Sequence, residues 1–210
     1  MAAEPDWRHL LATRLHPLDA EVGEGGDYVL NPAAPVRLEE AGELRPAAVL
    51  VPIVERPEGL TMLLTLRSDR LSSHAGQVSF PGGRVESSDE TFAATALRET
   101  REEIGLDASF ITIMGALDAY VTGTGFRIHP IVGLVRPDFT LTLDTAEVVE
   151  AFEVPLGHLM NRANHERHSA VWRGETRHYF VIPHERHYIW GATAGMIVDL
   201  ADKLLPAPAP

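Results

Sequence analysis

Three glutamates define the chemistry open to this chain. Glu99, Glu102 and Glu103 stand at positions i, i+3 and i+4. In a helix of about 3.6 residues per turn, that spacing puts their carboxylates on one face, roughly 5–6 Å apart at Cβ. Like charges so close repel, and the macrodipole near a helix C-terminus disfavours anions further. A divalent cation removes both costs, and hard oxygen ligands with room for water and phosphate are what Mg2+ or Mn2+ prefers. On its own, such a run is ordinarily a solvated acidic face paired with Arg98 and Arg101. Phe80-Pro81-Gly82-Gly83 upstream alters that balance, because two residues without side chains let the backbone approach a ligand or metal closely. Strand, Gly-Gly loop and acidic helix read as one unit.

The elements that must position this unit follow from local pattern. Ser87 to Ile104 reads as a helix, opened by a Ser-x-x-Glu cap (Ser87, Glu90), closed at Gly105, with Phe92, Ala96, Leu97 and Ile104 inward. Strands are expected at Ala47–Val54, Met62–Leu66, Ile111–Ala116, Ile128–Val135, Ala170–Trp172 and Tyr179–Ile182, with Arg56–Gly59 as the turn between the first two. Short helices are expected near Leu156–Arg162 and Thr193–Leu205. A first amphipathic helix starts after Asp6, its apolar stripe made by Trp7, Leu10, Leu11 and Leu15. Glu21 to Pro46 is too punctuated by Gly, Pro and Glu for regular structure and reads as a connection over the main body. Strands and helices mixed in this order predict an α/β fold with a mixed β-sheet between helices. The division expected is 1–46 as helix and extension, 47–205 as one domain, and the PAPAP tail 206–210 as a frayed end.

With these residues in view, the sequence resembles the Nudix hydrolases, whose signature is Gly-x5-Glu-x7-Arg-Glu-U-x-Glu-Glu-x-Gly-U, U being bulky and apolar. Leu106, Gly105, Glu103, Glu102, Glu99 and Arg98 match, and Glu90 lies eight residues before Arg98. Two positions depart: six residues separate Gly83 from Glu90, and Thr100 replaces an apolar U. The extra residue falls in a loop, where insertions are tolerated, and neither departure touches the metal-ligand spacing. Upstream, Leu63-Leu64-Thr65-Leu66-Arg67-Ser68 and Leu71 through Gly83, including His74, Gly76, Val78 and Phe80, resemble the Nudix branch that hydrolyses coenzyme A. Glu147-Val148 before Val154-Pro155-Leu156, and Ile189 to Ala194, resemble it too, so the likeness runs from Ala47 to Leu200.

The resemblance implies a Nudix-type α/β/α sandwich and attack of water on a pyrophosphate, with coenzyme A yielding 3′,5′-ADP and 4′-phosphopantetheine. It implies Glu99 and Glu103 as principal ligands of Mg2+ or Mn2+, Glu102 as ligand or base, and the Gly83 carbonyl as a further ligand. Arg98 is expected to pair with a signature carboxylate, and Glu90 to do similar supporting work. The general base stays open between Glu102 and Glu147, the latter equally readable as a solvated loop acid. Arg67, Arg70, His74 and Gln77 are expected either to contact phosphate, the adenosine 3′-phosphate included, or to shape their loop. Two other readings stay open: a Nudix hydrolase of another nucleoside diphosphate compound, such as NADH, ADP-ribose or a nucleoside triphosphate, and a Nudix-fold sensing module without turnover.

Composition bounds these readings. There is no cysteine, which excludes disulfides, thiolate metal sites and cysteine nucleophiles. Thirty Asp and Glu against 18 Lys and Arg give a net charge of −12, unsuited to nucleic acid or an anionic membrane. The excess is concentrated between Arg84 and Glu103, so it does not oppose a small polyanion arriving with a divalent metal. Without a leader or a spanning apolar run, the expectation is a cytoplasmic protein. A homodimer is one way to cover the first helix; packing on its own domain is the other. The repeats His165-Glu166-Arg167-His168 and His184-Glu185-Arg186-His187 lack zinc-protease spacing and are expected in surface loops or turns. Trp190 is expected as core bulk rather than a base-stacking platform.

Overall fold

The computed structural model describes residues 5–32, 43–71, 73–172 and 174–205; Ser72 and the Pro206–Pro210 tail, both read above, lie outside them. Elements in chain order are α1 (Trp7–Arg14), β1 (Glu24–Gly26), α2 (Asp27–Leu30), β2 (Arg45–Arg56), β3 (Gly59–Arg67), β4 (Val78–Ser79), β5 (Gly82–Arg84) and α3 (Phe92–Ile104). There follow β6 (Ile111–Ala116), β7 (Ala119–Val121), β8 (Phe126–Val135), β9 (Val148–Pro155), α4 (Leu156–Met160), β10 (Glu166–Trp172), β11 (Glu175–His184), β12 (His187–Trp190) and α5 (Gly191–Leu204).

The architecture turns on β2. Its apolar run Ala47-Ala48-Val49-Leu50-Val51 is buried on both faces, as a central strand requires. It pairs parallel with β8 along ten positions and is shared on its other edge. The first half there meets β5, with Ala48 opposite Gly83, and the second half meets β3, with Ile53 opposite Met62. β9 and β4 extend the sheet from β3, and β6, β7 and β1 extend it from β8. The result is a mixed nine-stranded sheet with a separate antiparallel sheet β10-β11-β12.

Alternation along β2 divides the core. Ala48 and Leu50 pack with Ala96 of α3, while Val49, Val51 and Ile53 join Ile197, Leu200 and Leu204 of α5 on the opposite side. The sheet therefore lies between helices, the α/β sandwich that the sequence leads one to expect. Trp7 and Leu11 of α1 are buried in the α5-side cluster, so the apolar stripe of that helix is covered by its own chain.

Several expectations need correction. The helix begins at Phe92 instead of Ser87, because Thr91, not Ser87, caps it by accepting a hydrogen bond from Ala94 N at 3.1 Å. Phe92 is exposed rather than inward and stacks on His129 with ring centres 3.5 Å apart. The segment from Glu21 is not structureless where it is described, residues 33–42 lying outside the described residues: β1 pairs parallel with β7, and α2 follows. Buried Asn31 then acts as a substitute strand. Its side-chain amide donates to His178 O at 3.0 Å and its Oδ1 accepts from His178 N at 2.7 Å, at a point on β11 beyond the end of β12. Of the two His-Glu-Arg-His copies, the first enters β10 and the second makes the β11–β12 turn. Trp190 is 36% exposed, edge-on to Tyr179, and does not belong to the core.

Candidate active site

α3 carries its carboxylates against β5. Glu103 is 3% exposed and accepts a hydrogen bond from Gly82 N at 3.1 Å. Gly82 has φ 153°, and a Cβ there would sit 2.4 Å from Ala48 O, so a side chain is excluded on both conformational and steric grounds. At Gly83 a Cβ would lie 2.5–2.7 Å from the carboxylate atoms of Glu99. The missing side chain is therefore what lets the loop backbone meet the Glu99 carboxylate. Thr100, the departure from the apolar U, is fully buried, and its hydroxyl donates to Ala96 O at 2.6 Å, which satisfies the polar atom inside the helix.

The helix C-terminus is capped by the loop preceding β9. α3 stops at Gly105, φ 70°, and the carbonyls of Glu103 and Ile104 accept from Asp144 N and Thr142 N, each at 2.9 Å. The same loop then hydrogen-bonds Ser68 N through Glu147 O at 2.8 Å. This docking brings the charge of Glu147 onto the two buried carboxylates, raising the proton affinity of both Glu99 and Glu103. Burial is the larger cause in each case, and it pushes Glu103 up to about 7 despite the Gly82 N–H and Arg67.

Arg98 organises the outer carboxylates. Its Nη1 donates to Glu99 Oε1 at 2.9 Å and to Glu102 Oε2 at 3.1 Å, and its Nη2 donates to Arg84 O at 3.1 Å. The Arg98 guanidinium is in turn gripped by Asp89, whose carboxylate also accepts from Glu86 N and Thr95 Oγ1. Glu90, expected in that place, is exposed. Sequence reasoning passed over Asp89 although five residues separate it from Gly83, the spacing of the signature; the extra residue lies after the acid, not before it. Glu102 points outward with its side chain 60% exposed.

The upstream residues divide. A β-bulge between Leu66 and Arg67 re-aims Arg67, and its Nη1 comes 3.5 Å from Glu103 Oε1 while its Nε is buried without a partner among the described residues. His74, at φ 58°, and Gln77 hydrogen-bond each other at 2.9 Å and close the β3–β4 loop. Arg70 is exposed on the same loop. Site residues from β3, β5, α3 and the β9 loop thus converge, whereas His74, Gln77 and Arg70 make no contact with the carboxylates among the described residues.

Among the described residues, no three carboxylates or imidazoles close a metal site by themselves. The donor set still fits a hard divalent ion: Glu99 and Glu103 are half to fully buried, lie beside a side-chain-free backbone, and have their proton affinity raised by burial first and by neighbouring carboxylates second. Such an ion keeps several waters and takes substrate phosphate, so two carboxylates and backbone oxygen suffice.

Residues 44–173 match the protein-family model described as NUDIX domain. A protein of Escherichia coli O7:K1 (strain IAI39 / ExPEC) named "Uncharacterized Nudix hydrolase NudL" is 39% identical over 157 residues, covering 75% of this chain and 81% of that one. Among solved structures, a MutT/nudix family protein from Enterococcus faecalis is 17% identical with a TM-score of 0.48, covering 82% of this chain and 70% of that one. A C. elegans Ap4A hydrolase binary complex is 20% identical with a TM-score of 0.45, covering 54% and 82%.

Proposed function

The chain belongs to the Nudix family, and from that premise we propose that it hydrolyses the pyrophosphate bond of coenzyme A to 3′,5′-ADP and 4′-phosphopantetheine, using Mg2+ or Mn2+. One observation carries this reading. The coenzyme A-like run from Leu63 to Gly83 is the segment that walls the carboxylate pair, Arg67 standing over Glu103 and Gly83 against Glu99.

In this reading Glu99, Glu103 and the Gly83 carbonyl hold the metal, and Glu102 contributes as ligand or base. The bound ion neutralises the diphosphate and lowers the pKa of an attacking water. The chain's own residues do the rest. Arg98 fixes the rotamers of Glu99 and Glu102, and Asp89 fixes Arg98. Arg67, its Nη1 3.5 Å from Glu103, lends positive charge beside the phosphate oxygens on which negative charge builds up. Glu147, carried to the buried carboxylates by its docked loop, is the second base available. Arg70, His74 and Gln77 frame the substrate entrance. No described helix is long and apolar enough to cross a membrane, and a cytoplasmic setting completes the proposal.

The deciding experiment is a product assay across coenzyme A, acyl-coenzyme A, NADH, ADP-ribose and nucleoside triphosphates with each metal. Preferred turnover of a compound lacking pantetheine would remove the coenzyme A assignment and leave the Nudix one standing. Turnover of none of them would favour a sensing module. Glu103→Gln tests the metal: it should abolish both hydrolysis and the rise in melting temperature on adding Mn2+, and survival of either overturns the ligand assignment.

A further inference from the structure

In this acidic chain, arginines near the sheet are matched with carboxylates: Arg56 with Glu153, Arg98 with Asp89, Arg127 with Glu24 and Arg186 with Glu150. Arg136 departs from it over the Phe110 ring at 5.3 Å, with Ser109 O as its hydrogen-bond partner, and Arg45 and Arg84 depart from it together. Neither of these two has a carboxylate partner among the described residues, and both are exposed. Both guanidiniums instead turn to one ring, that of Phe126: the Arg45 carbon lies 3.9 Å from its centre and the Arg84 carbon 5.5 Å. The two guanidinium carbons are therefore at most 9.4 Å apart, since both distances, 3.9 and 5.5 Å, run to a single point. Each gains from the ring face, and each repels the other. An anion bridging them reverses the repulsion.

Register explains why they meet. Arg45 stands beside Phe126 in the parallel β2–β8 pair, and Arg84 stands beside Ala47 in the β2–β5 pair. Ala48 faces α3, so Arg45, Phe126 and Arg84 emerge on the opposite face of the sheet. Arg45 is further anchored by its Nη2, which donates to Thr124 O at 2.8 Å. Arg84 directly follows Gly83, and its carbonyl is held by Arg98. β5 thus presents Gly83 to the carboxylate site on one face and Arg84, near Arg45 of β2, on the other. β5 pairs only with β2, so its outer edge is open among the described residues. A substrate whose diphosphate lies at Gly82–Gly83 can pass that edge and deliver its next group to the arginines.

We propose that Arg45 and Arg84, both held against the Phe126 ring, bind a phosphomonoester on the nucleotide half of the substrate, separate from the diphosphate that is cleaved. Planar guanidinium forks suit a phosphate dianion better than point charges would. This rests on the diphosphatase reading and deepens it, assigning the 3′-phosphate that distinguishes coenzyme A from its dephosphorylated form. Arg67 is already committed to Glu103 and does not supply this contact.

The test is calorimetric titration of the full chain with 3′,5′-ADP and, separately, 5′-AMP. The wild type should bind the bisphosphate at least about tenfold more tightly, the factor expected of charge-assisted bonds to one phosphate. Arg45→Gln/Arg84→Gln should bring the two ligands within about twofold, and Arg84→Gln alone, which removes no hydrogen bond within the chain, should give an intermediate ratio. Equal binding of both ligands by the wild type, or an unchanged preference in the variants, overturns the subsite. Because the ratio is read on nucleotide fragments, it is independent of the product assay. A chain that cleaves some other diphosphate but keeps the preference loses the coenzyme A reading and retains the subsite.

Discussion

Asp89 takes both ends of the Arg98 guanidinium, Nε donating to Oδ1 at 3.0 Å and Nη2 to Oδ2 at 2.9 Å. Arg98 holds the Asp89 carboxyl well below the usual carboxylate range, with the Glu86 N–H and the Thr95 hydroxyl adding to the effect. The fork geometry leaves Nη1 free to bridge Glu99 and Glu102, two acids that would otherwise repel across one helical turn. Asp89 touches no carboxylate of the metal face, yet it sets the orientation of the arginine that does.

Asp89→Asn should therefore lower kcat/KM by about 10–100-fold and weaken Mn2+ affinity by a similar factor, as loss of a partner behind a metal ligand does. Glu90→Gln should stay within about twofold of the wild type, because that side chain is exposed. Steady-state kinetics over a range of Mn2+ concentrations reads both. Equal damage from the two substitutions would mean that Asp89 is not the anchor.

Gly83→Ala provides a sharper steric test. The added methyl would meet the Glu99 carboxylate at 2.5–2.7 Å, so either the carboxylate or β5 has to move. Overpacking of this kind costs about 1–3 kcal/mol of stability, or roughly 2–12 °C in melting temperature for a chain of this size. Activity should fall far more, by about 100-fold or beyond, since misplacement of about 1 Å suffices for that. A folded variant that retained full activity would show that Glu99 does not need its position against the loop.

The carboxylate site was legible in the sequence because its spacing is local: Glu99, Glu102 and Glu103 share one helix, and Gly82-Gly83 lies one loop away. Asp89 was legible by counting from Gly83 and was passed over because glutamate was expected in that role. What escaped is what long-range pairing decides. β9 lacks an apolar run, since Glu150 and Glu153 interrupt it, and the groups that meet those charges, Arg186 and His187 for the first and Arg56 for the second, are distant in sequence. β1 is Glu-Gly-Gly, a strand by virtue of β7 alone. The arginine pair at Phe126 joins three strands, and no spacing within one segment could reveal it.

Asn31 ties the N-terminal extension to the three-stranded sheet through two hydrogen bonds to His178. Asn31→Ala leaves the half-buried His178 N–H and C=O without the partner that buried Asn31 supplies. The expected cost is about 1–3 kcal/mol in total, since water can reach part of what is freed. Denaturant unfolding measures the total, and amide exchange at His178 localises it. An unaltered exchange rate there would show that the bond is not part of what holds β11.

Asp199, on α5, carries the pH dependence of stability most clearly. It is packed near Asp118 and Asp202, and burial first, then those two charges, push its carboxyl up from 3.8 to about 6. A folded-state value above the unfolded one means that the folded chain holds the proton more tightly. The contribution to stability is therefore fullest below about pH 4 and is lost as pH rises through about 6. Asp199→Asn removes the titrating charge and keeps the shape. It should raise the unfolding free energy near neutral pH by about 1–3 kcal/mol and flatten the decline between about pH 4 and 6. Urea denaturation at intervals across that range tests both, and parallel wild-type and variant curves would mean that Asp199 ionises in the fold without cost.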